Sequence, residues 1–153
     1  MENFKILIIW CWRISETHIK ALKDNSNYSI VWVCDVVVEL AKKKWEELWV
    51  SYYNDYKNAI LESNCDIILI WVWSWLHPEI ATFALENKKH VITEKPIWLT
   101  LKETKLMIKT AKDNDKKLFV IEQNRLNETI EFLRDAIENK RFWKIYSISA
   151  KLY

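Results

Sequence analysis

The sequence contains no glycine at all. At the average usage of roughly 7%, a chain of 153 residues would hold about 11 glycines. The same chain holds 10 tryptophans, so the deficit of glycine and the excess of tryptophan nearly match. Tight turns and helix ends that need glycine must therefore be built from another residue, and tryptophan is the obvious candidate.

Two further absences narrow the class of protein. The three cysteines, Cys11, Cys34 and Cys65, are odd in number and lack C-x-x-C spacing, so they indicate neither a disulfide framework nor a zinc site. The longest apolar run, 67–73, is far shorter than the roughly 20 residues that span a bilayer. With no cationic leader before the first apolar segment, we expect a soluble protein of the reducing cytoplasm without a membrane partner.

The chain also lacks an excess of charge of either sign. The chain has 23 basic and 21 acidic residues, a net charge of +2, and its lysines are spread along helix-like segments. Such a balance does not favour a nucleic-acid surface, so we expect these charges to form a solvated surface without a nucleic-acid partner.

Apolar strand-like segments alternate with segments of helical period. The strands are predicted at 4–9, 28–35, 50–53, 65–72, 89–95 and 117–123, and the helices at 16–25, 37–48, 55–63, 77–88 and 100–114. Strands that are apolar on both faces indicate a parallel sheet covered by helices on both sides. Residues 1–122 are therefore predicted to form a doubly wound, Rossmann-like α/β domain.

The pattern changes in residues 123–153. A helix is predicted at 127–140, with Leu126, Ile130, Leu133 and Ile137 spaced for one buried face. The segment 144–153 then alternates apolar and polar residues, which is typical of a strand with one solvent-exposed face. We expect a linker helix and the first strand of a truncated second, α+β domain.

Most tryptophans fall where glycine is favoured. Trp49 and Trp143 follow predicted helix ends, and four others lie in strand-to-helix loops: Trp10, Trp12, Trp73 and Trp75. We predict positive φ at Trp49, at Trp143 and at one or more of the four loop positions. For Trp32 and Trp45, in the middle of a strand and a helix, a genuine core tryptophan is an equal alternative.

With glycine at positions 10 and 12, residues 10–15 read G-C-G-R-I-S. This is the dinucleotide fingerprint G-x-G-x-x-G with small Ser15 in the third place. The first position makes a tight turn, the second lets the backbone approach a pyrophosphate, and the third packs helix on strand. The loop residues Trp10, Trp12, Arg13 and Ile14 are thus candidate cofactor-binding residues, with the anion at the helix N-terminus.

Asp35 ends the second predicted strand, twenty residues after Ser15. A carboxylate there accepts hydrogen bonds from the ribose hydroxyls of NAD and repels the 2′-phosphate of NADP. The sequence therefore favours NAD as cofactor over NADP. The alternative is that Asp35 is the N-cap of the following helix.

Three segments together resemble a known enzyme family, if the tryptophans are glycines. They are "ILIIWCWRISETHIKAL", "ILIWVWSWLHPEIATFALENKKHVITEKPIWLT" and "FVIEQNRLN". They resemble the N-terminal half of the glucose-fructose oxidoreductase, inositol dehydrogenase and MocA family, and E-K-P after the H-P-E-I-A helix is the most specific part. The "QNR" segment is most similar to bacterial nucleotide-sugar 3-dehydrogenases that act on UDP-N-acetylglucosamine derivatives.

The resemblance implies a catalytic role for the E-K-P lysine. It places Lys95 beside the nicotinamide and the reacting hydroxyl, where a cation can orient the alcohol and stabilise developing alkoxide. Glu94 would contact the cofactor or orient Lys95. The alternative is that Lys95 is a surface lysine before a proline.

The resemblance implies further contacts at the carboxyl ends of the strands. It places His77 at the pyrophosphate and nicotinamide ribose, Gln123 at the cofactor, and Asn124 and Arg125 at the substrate. His77 is alternatively a polar residue near a helix start, and Arg125 alternatively pairs with a carboxylate as scaffold.

Three functional hypotheses follow. The first is an NAD-dependent oxidoreductase domain that transfers hydride between nicotinamide and a hydroxyl of a sugar or nucleotide sugar, a homo-oligomer at full length. The second is a non-catalytic, redox-sensing dinucleotide module, which the E-K-P lysine disfavours. The third is an inactive form of the first, altered from glycine to tryptophan. The family's catalytic histidine would lie beyond Tyr153, so we expect the chain to be a fragment.

Overall fold

A computed structural model describes residues 3–10, 13–97, 100–147 and 149. The chain divides into two compact units, residues 1–121 and 122–153. Within the described part, no helix combines the length and the apolar character that crossing a bilayer requires.

The first unit is an α/β domain with six parallel strands in the order β3-β2-β1-β4-β5-β6. The strands are β1 (Phe4–Ile9), β2 (Tyr28–Cys34), β3 (Ser51–Tyr53), β4 (Ile67–Ile70), β5 (His90–Thr93) and β6 (Leu118–Val120). The helices are α1 (Arg13–Lys23), α2 (Val38–Leu48), α3 (Tyr56–Glu62), α4 (His77–Glu86) and α5 (Leu101–Asp113). The predicted doubly wound, Rossmann-like fold is confirmed.

The central strand β1 shows why the sheet is covered on both sides. Leu7 and Ile9 belong to one buried cluster, which includes residues of α3, α4 and α5. Ile6 and Ile8 belong to the other, which includes Ile19 of α1. Because alternate residues of a strand face opposite sides, an all-apolar strand requires two apolar layers of helices.

Some of the tryptophans predicted to have positive φ adopt the left-handed conformation, and others do not. Trp10 has φ 84° and Trp49 has φ 56°, so the prediction is confirmed at both. It is wrong at Trp143, because α6 of the second unit (Glu128–Glu138) ends earlier and Lys140, with φ 53°, takes the left-handed position. Trp12 lies outside the described residues.

Trp73 and Trp75 lie in a strand-to-helix loop as predicted, but their backbone needs no glycine. Trp73 is extended, with φ −62°, and Trp75 belongs to a short 3-10 helix, Ser74–Leu76. The two indoles stack on each other with ring centroids 5.4 Å apart. Both side chains are about half exposed, so the loop accommodates them by directing them towards solvent.

The second unit contains a 3-10 helix, Gln123–Leu126, followed by α6. The predicted buried face of α6 is wrong: Leu126, Ile130, Leu133 and Ile137 are each at least 36% exposed. No strand is present at 144–147 or 149, and the rest of the predicted strand lies outside the described residues. A strand needs a paired neighbour, and the described residues of this unit contain none.

Candidate cofactor-binding and active site

The site predicted from the sequence lies at the carboxyl edge of the sheet. The strand order reverses between β1 and β4, and open α/β sheets bind ligands in the crevice at such a reversal. The loop after β1, Asp35 after β2, the loop after β4 and Glu94 after β5 all lie at this edge because their strands are parallel.

The loop after β1 has the backbone of a dinucleotide-binding turn. Trp10 leaves the strand in the left-handed region, and its N–H donates to the carbonyl of Cys34 at 2.7 Å. The helix α1 then begins at Arg13, with Ile14 next, so its N-terminal amides lie at the sheet edge. Such amides are the usual partners of a pyrophosphate.

The side chain at position 10 does not match this backbone. The Trp10 indole is half-buried and packs against the cluster that contains Ile9 and Cys34. A bulky residue held in the left-handed region costs on the order of 1 to 3 kcal/mol, whereas glycine has no Cβ to resist it. The turn is therefore built for a residue without a side chain.

Asp35 directly follows β2, as predicted, and is only 1% exposed. Its Oδ1 accepts a hydrogen bond of 2.9 Å from the amide of Val37, and its own amide donates to the carbonyl of Tyr53. The N-cap of α2 is Val37, so the alternative of Asp35 as helix cap is wrong. At 1% exposure, a ribose reaches this carboxylate only after neighbouring atoms move.

The E-K-P segment forms a turn beyond β5. The Glu94 amide donates to the carbonyl of Ile70 at 3.2 Å, which extends the pairing of β5 with β4, and its side chain is largely buried. Lys95 is exposed, and its amide donates to Glu94 Oε2 at 3.2 Å. The Lys95–Pro96 peptide bond is cis. The carboxylate of Glu94 thus holds the backbone from which Lys95 projects.

His18, which the sequence interpretation left out of the site, contacts Glu94 at this edge. Its Nε2 lies 2.8 Å from Glu94 Oε1, with the two side chains 22% and 12% exposed, and its ring stacks on Trp71. Because a carboxylate oxygen accepts, Nε2 carries the donated hydrogen. Ser15 and His18 stand three residues apart in α1, so helical period places them on one face, a signal that could have drawn His18 into the site.

His77 begins α4 as predicted and is 1% exposed. Its Nδ1 lies 2.9 Å from the Pro96 carbonyl and its Nε2 lies 2.9 Å from the Val72 carbonyl. The ring therefore ties the loop after β4 to the E-K-P turn. The alternative of a polar residue near a helix start agrees with the position of His77 at the start of α4. Its contact with a cofactor stays a prediction.

The remaining predicted residues belong to the second unit. Gln123, Asn124 and Arg125 lie on the 3-10 helix that precedes α6, and the amide of Arg125 donates to the carbonyl of Glu122. Their roles at cofactor and substrate stay predictions.

The backbone of the edge fits the adenosine and pyrophosphate part of NAD, but the side chains as written do not. The turn, the start of α1 and the position of Asp35 match a dinucleotide site. Trp10 places an indole at the turn, and Asp35 is covered. The backbone therefore predicts a bound dinucleotide, whereas the Trp10 side chain disfavours its binding.

Known dehydrogenases share this fold and part of this sequence. The chain is 29% identical over 136 residues to myo-inositol 2-dehydrogenase of Thermotoga maritima, covering 88% of this chain and 41% of the relative. Among solved structures it is similar to WlbA dehydrogenase from Bordetella pertussis in complex with NADH and UDP-GlcNAcA, with TM-score 0.91, 28% identity and coverage of 95% and 45%. It is also similar to WlbA dehydrogenase from Chromobacterium violaceum in complex with the same ligands. That structure gives a TM-score of 0.92 and 29% identity, covering 95% of this chain and 43% of the WlbA chain.

The chain spans less than half the length of each of these relatives. Residues 4–122 match the family GFO_IDH_MocA, described as the oxidoreductase family with NAD-binding Rossmann fold. The resemblance seen in the fingerprint loop and E-K-P is thereby confirmed. The chain belongs to the Gfo/Idh/MocA family of oxidoreductases, and its first unit is the family's NAD-binding Rossmann domain.

Proposed function

We propose that this chain is the N-terminal part of an NAD-dependent dehydrogenase that oxidises a hydroxyl of a sugar or nucleotide sugar. The observation that carries the proposal is the turn beyond β5, where Glu94 is largely buried and Lys95 projects into solvent at the ligand-binding edge. When bound, NAD supplies the hydride acceptor. The residues of the chain bind it, orient the alcohol and manage the proton.

Lys95 is proposed to act on the substrate hydroxyl. An ammonium group at this position donates hydrogen bonds to the alcohol oxygen and stabilises the negative charge that develops as the C–H bond weakens. The fixed backbone supports the role, because the Glu94 carboxylate accepts from the Lys95 amide and the His77 ring contacts the Pro96 carbonyl.

The proposed substrate class follows the relatives. Both WlbA structures contain UDP-GlcNAcA, whereas the Thermotoga relative is named for myo-inositol. All of these are polyhydroxylated rings, so a ring hydroxyl is the common reacting group. The "QNR" segment, Gln123 to Arg125, favours a nucleotide sugar. A homo-oligomeric full-length protein and a cytoplasmic location complete the proposal, the latter supported by the buried thiol of Cys65.

The chain as written is proposed to bind NAD poorly, because of Trp10 and, by position, Trp12. The function is therefore assigned to a glycine-restored protein, defined by Trp10→Gly and Trp12→Gly. This form removes the two indoles from the fingerprint loop while it keeps Arg13, Ile14 and Asp35.

The test uses the full-length, glycine-restored protein with NAD and UDP-sugars or inositols, and Lys95→Met as the variant. Turnover should fall by roughly 10²-fold or more, the scale of a lost proton-transfer or electrostatic group, while NAD affinity is nearly unchanged. The matched control is Lys112→Met, another exposed lysine, in the last turn of α5.

Three outcomes separate the hypotheses. Turnover that depends on Lys95 and not on Lys112 supports the proposal. NAD binding without turnover of any sugar would indicate the redox-sensing module instead. Parental turnover in Lys95→Met would show that Lys95 is a surface lysine and would contradict the assignment of chemistry to this unit.

A further inference from the structure

Tryptophan occupies left-handed backbone in this chain without local support. Among the described residues, positive φ occurs at five positions: Trp10, Trp49, Lys88, Asp115 and Lys140. The last three each follow an asparagine at a helix end. The side-chain amides of these asparagines, Asn87, Asn114 and Asn139, donate back to the helix carbonyls of Phe83, Thr110 and Asp135.

Position 49 has no preceding asparagine to support the helix end in this way. Leu48 precedes it, and the bond recorded for the cap is the backbone bond from the Trp49 amide to the Trp45 carbonyl. The Trp49 side chain is 91% exposed, so its packing does not compensate for the conformation. A left-handed residue after a helix without side-chain support is the position at which glycine is favoured.

Trp71 shows a different mismatch between side chain and surroundings, inside the core. It directly follows β4, is 5% exposed, and its indole Nε1 is buried without a hydrogen-bond partner in the described part of the chain. Buried indole N–H groups usually find an acceptor. The sequence thus places a donor where the described residues provide no acceptor.

We propose that the codon translated here as tryptophan inserts glycine when the source cell makes this protein, at positions 10 and 49 in particular. Independent mutations would leave some glycines in place, whereas the chain has none and has 10 tryptophans. In a gene that uses one reassigned codon for all of its glycines, a single change in the meaning of that codon alters every such position together. It also removes the conflict between the dinucleotide turn and Trp10, and it does not depend on which substrate the enzyme takes.

The experiment is peptide sequencing by mass spectrometry on the protein isolated from its source cells. Trypsin cleaves after Lys5 and Arg13 and after Lys44 and Lys57, so peptide 6–13 contains positions 10 and 12 and peptide 45–57 contains positions 45 and 49. A recombinant chain from a gene with UGG at all ten positions provides the tryptophan reference masses. Glycine at positions 10 and 49 is expected. Tryptophan at either position overturns the proposal.

A second, independent observation concerns His18. Its Nε2–H donates to Glu94 Oε1 at 2.8 Å, and the other oxygen, Oε2, accepts from the Lys95 amide. One carboxylate therefore joins α1, the helix of the fingerprint loop, to the turn that carries Lys95. The His18 ring also stacks on Trp71.

We infer that His18 is a positioning residue for Lys95, acting through Glu94. Without the imidazole, the Glu94 side chain loses this hydrogen bond to α1 and the turn at 94–97 gains freedom. Lys95 then samples orientations that do not reach the hydroxyl. This inference rests on the proposed function, because the consequence for turnover requires Lys95 to act on substrate.

The test compares His18→Leu with His18→Gln, whose amide can donate to Glu94, in the full-length, glycine-restored protein. We expect His18→Leu to lower kcat by roughly tenfold, as misplacement of a reacting group does, with NAD affinity unchanged, and His18→Gln to recover most of the loss. The control is His90→Leu, another half-buried histidine, at the amino-terminal end of β5.

Hydrogen exchange of the amides of residues 94, 95 and 97 separates failure of the positioning role from failure of the proposed function. Faster exchange in His18→Leu and recovery in His18→Gln support the positioning role even in a parent protein without turnover. Unchanged exchange in His18→Leu overturns it. Parental kcat in His18→Leu overturns it as well.

Discussion

Trp49→Gly is expected to stabilise the chain, an unusual direction for the removal of a large apolar side chain. Trp49 has φ 56° and ψ 43° at the C-terminus of α2, and its side chain is 91% exposed. Truncation therefore loses almost no buried area, while the left-handed strain disappears. The backbone bond from residue 49 to the Trp45 carbonyl can stay as it is.

The size of the effect comes from two opposing contributions. Relief of a bulky residue in the left-handed region is worth about 1 to 3 kcal/mol. Glycine loses more backbone entropy on folding, which costs roughly 0.5 to 1 kcal/mol. We expect a net gain of about 1 kcal/mol in the free energy of unfolding, or a rise of about 2 to 4 °C in Tm for a domain of this size.

The matched control is Trp45→Gly in the same helix. Trp45 lies in the helix interior and packs on Tyr52 with ring centroids 6.0 Å apart, so the same substitution should destabilise by about 1 kcal/mol or more. Urea unfolding of both variants measures the difference. If Trp49→Gly lowers the unfolding midpoint, or if both variants shift it in the same direction, the strain argument is refuted.

Three other results are expected. In the glycine-restored chain, NAD should bind more tightly than NADP, and Asp35→Ala should erase most of that preference in a cofactor titration; equal affinities before the substitution would remove Asp35 from the site. Burial, then the charge of Lys116, lowers the pKa of His90 below its ordinary 6.5, so the free energy of unfolding should decrease as pH falls from 6.5 towards the folded-state pKa, and His90→Gln should remove this decrease. Burial lowers the pKa of Lys44, but hydrogen bonds to Glu16 and Glu47 outweigh this effect and raise the pKa above 10.5. The contribution of Lys44 to the free energy of unfolding should therefore be complete below pH 10.5 and should be lost as the pH rises above it. The Lys44→Met variant should not show this loss.

Much of the first unit could be predicted from the sequence because its signals are local. The all-apolar runs around Ile6–Ile9 and Ile67–Ile70 predicted parallel strands buried on both faces, and both lie at the centre of the sheet. The residues "EEL" before Trp49 indicated a helix end, and the left-handed residue is there. Each of these features depends on neighbouring residues alone.

The misses depend on partners distant in sequence or on competing local signals. The contact between His18 and Glu94 joins residues 76 positions apart, and the sequence around neither residue predicts contact with the other. Trp143 was predicted to be left-handed, but Asn139 supports the helix end earlier by bonding to the Asp135 carbonyl. The apolar face of α6 predicted burial, although helical period shows only that a face is apolar and not what covers it.

Calorimetric titration of NAD into the chain as written and into the Trp10→Gly, Trp12→Gly chain tests the central claim most directly. The claim is that the loop after β1 is a dinucleotide-binding turn whose backbone requires glycine. We predict that the glycine-restored chain binds NAD at least about tenfold more tightly, a difference of about 1.4 kcal/mol. Equal affinity of the two chains, or no binding by the restored one, would contradict the account.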